Sequence, residues 1–254
     1  MRAITRYILL TAARDWLFLG LFIAIIVASA VSLFLGSTAL SEQYHMKLSY
    51  ISGSTRLILS VGMILFICFH VRRAFENREI EFTISRPISR TTLLLSYFLS
   101  FAILSFLLVT PVIALIWILF KPTVIGILAW ASSIYFELLL ISSFALLSSL
   151  ILNSAVVAVM GCFGFYIISR MMGFAVSYII VPSKLNNIDI NIFLELLLKL
   201  LSTIMPRLDL FAKSKWLVYG TVEPMALYII IAQSAIYIPL ILLMSAFDFN
   251  RKQF

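Results

Sequence analysis

RRAFENREIEFTISRPISR, residues 72–90, is the stretch on which the reading of this chain turns. Five Arg and three Glu fall within these nineteen residues, in a chain of which only 12% is charged. The segment is too polar to enter lipid and too short to form a domain, and long apolar runs flank it on both sides. A charged segment so placed sits in water, where something can grip it, while its neighbours sit in a bilayer.

Outward from this segment the chain is apolar. Hydrophobic residues make up 63% of 254, and the mean hydropathy is +1.10. A soluble domain is roughly 45–50% apolar, so lipid must be the solvent for most of the chain. Hydrocarbon offers the backbone no hydrogen-bond partner, which leaves helices or a closed barrel. Apolar runs of about twenty residues without two-residue alternation select helices. The sequence therefore predicts an all-α integral membrane protein, one domain over 1–254, with six transmembrane helices at 17–36, 54–73, 93–120, 124–152, 155–181 and 225–247. Ala28-Ser29-Ala30 resembles a signal cleavage site. The first run is nevertheless read as a true span, because it is twenty residues long and sixteen precede it. Pro111 and Pro239 predict kinks in the third and sixth spans. Trp16, Trp117, Trp130 and Tyr178 are expected near span ends, at the headgroup level.

Net charge is +8. In a soluble chain that would suggest nucleic acid; here the basic residues cluster beside spans, so topology and anionic lipid account for them and no nucleic acid is expected. With both termini cytoplasmic, the inside carries ten basic residues: Arg2, Arg6, Arg14, Arg72, Arg73, Arg78, Arg86, Arg90, Arg251 and Lys252. The outside carries eight, five of them in the long loop 182–224, where charge weighs least. The expected location is the inner (cytoplasmic) membrane, multi-pass, with the 74–92 loop in the cytoplasm.

Three segments outside the spans are read as helical. Residues 1–16 are basic and suit an interfacial helix feeding the first span. Residues 190–204 carry Asn191, Glu195, Lys199 and Ser202 on one narrow stripe, so an outer amphipathic helix is expected between the fifth and sixth spans. In the charged loop a short helix over 75–84 is expected, ended by Ser85-Arg86-Pro87. Pro87 lacks an N–H and pushes Arg86 out of the helical region. Ser89 or Thr91 then caps the third span. Orientation accounts for the arginines of this loop but not for Glu76, Glu79 and Glu81.

Catalytic signatures are lacking. The chain has no GxxxxGK[ST], GxSxG, HExxH or paired-Cys motif, and His45 and His70 are its only histidines. No catalytic or metal site is expected, and any ATP and Mg must be bound by another chain. Cys68 and Cys162 are read as small buried hydrophobes. Glu137 and Arg170 stand out inside apolar spans, where a lone charge is costly. Each lies sixteen residues from the Asn153-Ser154 turn, about 24 Å along its helix. Neighbouring antiparallel helices can pair them, either as a polar patch on a substrate path or as a structural lock. A simple pair would tolerate exchange of the two charges better than Arg170→Ala. Arg207, Asp209 and Trp216 read as an outer lid or as an interface anchor.

The charged loop resembles that of the ABC-2 type permeases, the membrane subunits of one class of ATP-binding cassette exporters. Glu76, then Ser85-Arg86-Pro87-Ile88-Ser89-Arg90 and a leucine-rich span, match the family's pattern, and Pro206-Arg-Leu-Asp-Leu-Phe211 looks like its segment before the last span. Many members carry Gly two residues after the Glu, where this chain has Arg78. The resemblance implies a permease coupled to a separate cytoplasmic ATPase subunit, paired with a second permease as homodimer or heterodimer. It implies that Glu76, Glu79, Glu81, Arg86, Pro87 and Arg90 meet the ATPase. The rival expectation is a stand-alone secondary transporter built on Glu137 and Arg170.

Overall fold

The computed structural model describes residues 2–38, 42–84, 89–180, 196, 200, 205–211 and 213–251. Among these every regular element is helical. In chain order they are α1 (Arg2–Arg14), α2 (Trp16–Ser37), α3 (Gln43–Glu76), α4 (Glu79–Ile84), α5 (Arg90–Phe120), α6 (Val124–Ile151), α7 (Ala155–Ile180), a 3-10 turn (Leu208–Leu210), α8 (Ser214–Tyr219) and α9 (Pro224–Arg251). Six of them, α2, α3, α5, α6, α7 and α9, are long and apolar enough to cross a membrane. The helices continue past Pro111 and Pro239.

The bundle is built around α6, which packs against α3, α5, α7, α8 and α9. Its sequence explains why. Ala129, Ala131, Ser133, Ser142, Ser143, Ala145, Ser148 and Ser149 are buried and small, so neighbouring backbones come close. Ser142 and Ser149 donate back to the carbonyls of Leu138 and Ala145, each at 2.6 Å, so burial leaves these hydroxyls satisfied. Opposite ends of the bundle are distinguishable by their contacts. At the terminal face, where α1 begins and α9 ends, Arg90 donates to the carbonyls of Phe249 and Asn250, and Arg72 to that of Asn153. At the distal face Tyr44 donates to the Phe120 carbonyl, and Ser52 to the Ser214 hydroxyl.

α1 has two faces: Thr5, Ile8 and Ala12 are buried, Arg6, Tyr7 and Arg14 exposed. Asp15 separates it from α2 and caps α2 by accepting from the Leu17 N–H at 3.0 Å.

The second span departs most from expectation. It begins at Gln43, not near residue 54, and runs 34 residues, about 51 Å at the helical rise and well beyond a hydrocarbon core of roughly 30 Å. Hydropathy does not hold its first turns in place; packing does. Leu48 and Ile51 are fully buried, Ser32 of α2 donates to the Lys47 carbonyl at 2.6 Å, and the Lys47 side chain lies against Gly36.

The short helix of the charged loop also begins later than expected. Residues 75 and 76 belong to α3, which closes at Asn77-Arg78, and α4 starts at Glu79. Arg78 has φ 56°, a left-handed conformation, and its N–H donates to the Phe75 carbonyl at 3.0 Å. That is the position after a helix end where glycine is favoured. Arg78→Gly is expected to stabilise the fold by about 0.5–1 kcal/mol. The check is the apparent melting temperature in detergent, and a fall would remove the strain argument. Ser89, as expected, caps α5, its hydroxyl accepting from the Thr92 N–H at 3.2 Å.

Two tryptophans depart from an interfacial placement, which is the sequence expectation for Trp130 and one of the two for Trp216. Trp130 and Trp216 are both fully buried, not headgroup anchors. Trp216 sits on α8, which tucks against α3 and α6. A Cβ on Gly126 would lie 2.3 Å from the Trp216 carbonyl oxygen, so only glycine lets α8 come this close. Leu196 and Leu200 are helical and exposed. The rest of the expected outer amphipathic helix lies outside the described residues.

Candidate functional site

Two groups of the nominated residues can be located, one at the terminal face and one within the bundle.

At the terminal face α4 packs against the end of α3. Six residues cannot hold a helix in water on their own. What fixes α4 is Ile80, 3% exposed and part of the apolar core, which lines a small pocket together with Val71, Leu93, Leu94, Tyr97, Leu146 and Phe249. The pocket is lined from α3, α5, α6 and α9 as well as α4, so Ile80 is buried where the charged loop meets the base of four spans. Phe82, on the same short helix, is 66% exposed.

The charged residues divide. Glu76, the last residue of α3, is exposed. Glu79 turns inward: its carboxylate accepts from the Tyr7 hydroxyl at 3.2 Å and from the Asn77 amide at 3.4 Å, joining α1 to α4. Burial, then the Glu79 carboxylate, raises the pKa of the Tyr7 hydroxyl above its ordinary value, so Tyr7 remains the donor. Arg90 is engaged within the chain, donating at 3.0 and 3.2 Å to the last carbonyls of α9, where a cation also meets the negative end of the helix dipole. Glu81 lies on α4. Arg86 and Pro87 lie outside the described residues.

Within the bundle, Glu137 stands near the midpoint of α6 and Arg170 on α7, with Arg170 Nη1 3.8 Å from Glu137 Oε1. Glu137 is 1% exposed, and neither carboxylate oxygen has a hydrogen-bond partner. Arg170 is better served. Its guanidinium donates to the carbonyls of Leu208 and, at 3.3 Å, Phe211, the two ends of the 3-10 turn that precedes α8. Asp209 within that turn pairs with Arg207 at 2.9 Å, and a Cβ on Gly173 would meet Asp209 Oδ2 at 2.7 Å, so glycine lets α7 touch the turn. Arg56 of α3 and Tyr166 of α7 lie within electrostatic reach of Glu137, and Tyr166 also neighbours Ser60.

The cluster thus joins α3, α6, α7 and the turn before α8. It supplies one carboxylate with open acceptor capacity, two guanidinium groups and a phenol, in an apolar surround. Such a group can carry a proton or hold a charged portion of a solute. It can equally lock the turn to the bundle.

Sequence reasoning nominated Glu137 and Arg170 from their depth. It did not reach the carbonyl partners of Arg170, Tyr166, or the inward role of Ile80. Nor did it bring together Cys68 and Cys162, which are both buried and free, with sulfur atoms 3.8 Å apart between α3 and α7. Among the described residues no group of three or more His, Cys, Asp or Glu could hold a metal ion. The chain matches no protein-family model and no curated protein.

Proposed function

We propose that this chain is the membrane subunit of an ATP-driven exporter, moved by a separate cytoplasmic ATPase and working as a pair of permeases. The observation that carries the proposal is α4, a short charged helix between the second and third spans. It bears an exposed flank, packs on α3, and buries Ile80 at a pocket lined by four spans. An ATPase gripping the exposed flank would pull on α3, α5, α6 and α9 together. The resemblance of Glu76 and Ser85–Arg90 to the ABC-2 pattern supports the same reading. In it the terminal face is cytoplasmic, as the arginine count favours, and ATP and Mg belong to the partner.

The test is a complex purified with its cognate ATPase. Glu76→Arg combined with Arg86→Glu is expected to leave the chain in the membrane and to abolish stimulation of ATP hydrolysis by substrate. Unchanged ATPase binding and transport in that double variant would end the coupling assignment.

A second reading rests on Glu137, a carboxylate closed off from solvent with no hydrogen-bond partner. A stand-alone secondary transporter would use it to carry a proton opposite Arg170. Reconstituted alone in vesicles, the chain would then move solute on a pH gradient without ATP. The exporter reading expects no such movement.

A further inference from the structure

Under α1, where α2 begins and α4 folds back on α3, lies a cavity of about 60 Å³, room for several water-sized groups. Its polar lining carries both signs: the carboxylates of Asp15 and Glu79, the guanidinium of Arg73 and the imidazole of His70. His70 stacks on Phe66 with ring centres 5.3 Å apart, and its Nε2 is closed to solvent without a hydrogen-bond partner. Asp15, Glu79 and Arg73 all lie within electrostatic reach of that ring. Phe69, also on the cavity wall, is 45% exposed, and Trp16, next to Asp15 in the chain, is 83% exposed. An exposed tryptophan beside charged groups marks the headgroup level of a bilayer.

We infer that this cavity binds a phosphate ester bearing a primary ammonium, the chemistry of a phosphatidylethanolamine headgroup. The ammonium has three N–H donors. Asp15 Oδ1 accepts one backbone N–H, Glu79 accepts from Tyr7 and Asn77, and each carboxylate retains lone pairs. The phosphate accepts from Arg73, while the His70 ring forms part of the wall. A quaternary ammonium offers no N–H donor and leaves the carboxylates unmatched. A purely anionic headgroup meets two carboxylates and is repelled. The inference does not rest on the ATPase reading, because the cavity belongs to this chain alone.

The test uses the full chain, purified and exposed to an equimolar mixture of phosphatidylethanolamine, phosphatidylcholine and phosphatidylglycerol, with retained lipid read by native mass spectrometry. Phosphatidylethanolamine is expected to be retained about tenfold over either competitor. Asp15→Asn with Glu79→Gln should abolish the preference for phosphatidylethanolamine over phosphatidylcholine and relieve the exclusion of phosphatidylglycerol. Asn still caps α2 and Gln still accepts from Tyr7, so the fold is spared. The wild-type chain gives a second measurement that needs no variant: successive N-methylation of the headgroup should lower retention step by step. Soluble glycerophosphoethanolamine separates the sources. If it displaces the lipid, the free ester is a ligand; if it does not, the site reads the headgroup in the membrane, and both results keep the headgroup chemistry. Equal retention of the ethanolamine and choline lipids, a preference unmoved in the double variant, or indifference to N-methylation would each overturn the assignment.

Discussion

Arg170→Ala is expected to cost about 3–5 kcal/mol of stability, while Glu137→Gln is expected to cost no more than about 1 kcal/mol. The asymmetry follows from the partners. Glu137 contributes one ion pair at 3.8 Å and no hydrogen bond, and glutamine fills the same space without a charge. Arg170 donates to the carbonyls of Leu208, the first residue of the 208–210 turn, and of Phe211, its cap; its removal takes away both charged donors and leaves the Glu137 carboxylate without its ion-pair partner, while the Leu208 carbonyl keeps the Phe211 N–H. Exchanging the two charges, which a simple pair would tolerate, is now expected to be as damaging as Arg170→Ala, since a carboxylate at 170 would face two carbonyl oxygens. Thermal unfolding in detergent of all three variants decides this. Equal losses in Arg170→Ala and Glu137→Gln would sink the view that Arg170 mainly secures the turn.

Ile80→Ala is the second large effect. Removing its side chain beyond Cβ from a socket that admits almost no solvent costs about 2–4 kcal/mol. Because α4 has no other comparable anchor among its described residues, the loss is expected to fall on α4 rather than on the bundle. Hydrogen exchange should therefore rise sharply at 79–84 and remain slow in α5 and α6. If the coupling proposal is right, solute-stimulated ATP hydrolysis falls with it. Phe82→Ala, at an exposed site, should leave exchange unchanged. Slow exchange at 79–84 in Ile80→Ala would mean that α4 is held by something else.

The spans were legible because lipid makes composition decisive: five of the six begin and end within a few residues of their hydropathic limits. The exception, α3, fails for a physical reason. Residues 43–53 include Gln43, His45 and Lys47, and are ordered by contacts with α2 and α8 that no window of hydropathy contains. Trp130 and Trp216 were misplaced for a related reason. An aromatic ring near a span end is as suited to a tight core as to the headgroup layer, and only Gly126, by admitting α8, decides the matter for Trp216. Glu137 and Arg170 were legible as a pair because depth follows from counting along helices. The second attachment of Arg170 was not, since its carbonyl partners lie 38 and 41 residues away in the sequence. Arg78 carries a lesson in the other direction. Its charge reads as part of the cytoplasmic arginine cluster, yet it stands in a left-handed conformation that glycine adopts without strain.

The unbroken length of α3 has a last consequence. One rod reaches from the Ser52–Ser214 contact to Val71 at the pocket beside Ile80, so a swing of about 5° pivoting at either contact displaces the other by roughly 2.5 Å. Anything that fixes its angle on one side of the bilayer biases binding on the opposite side, and thermodynamic reciprocity requires the bias to be equal in both directions.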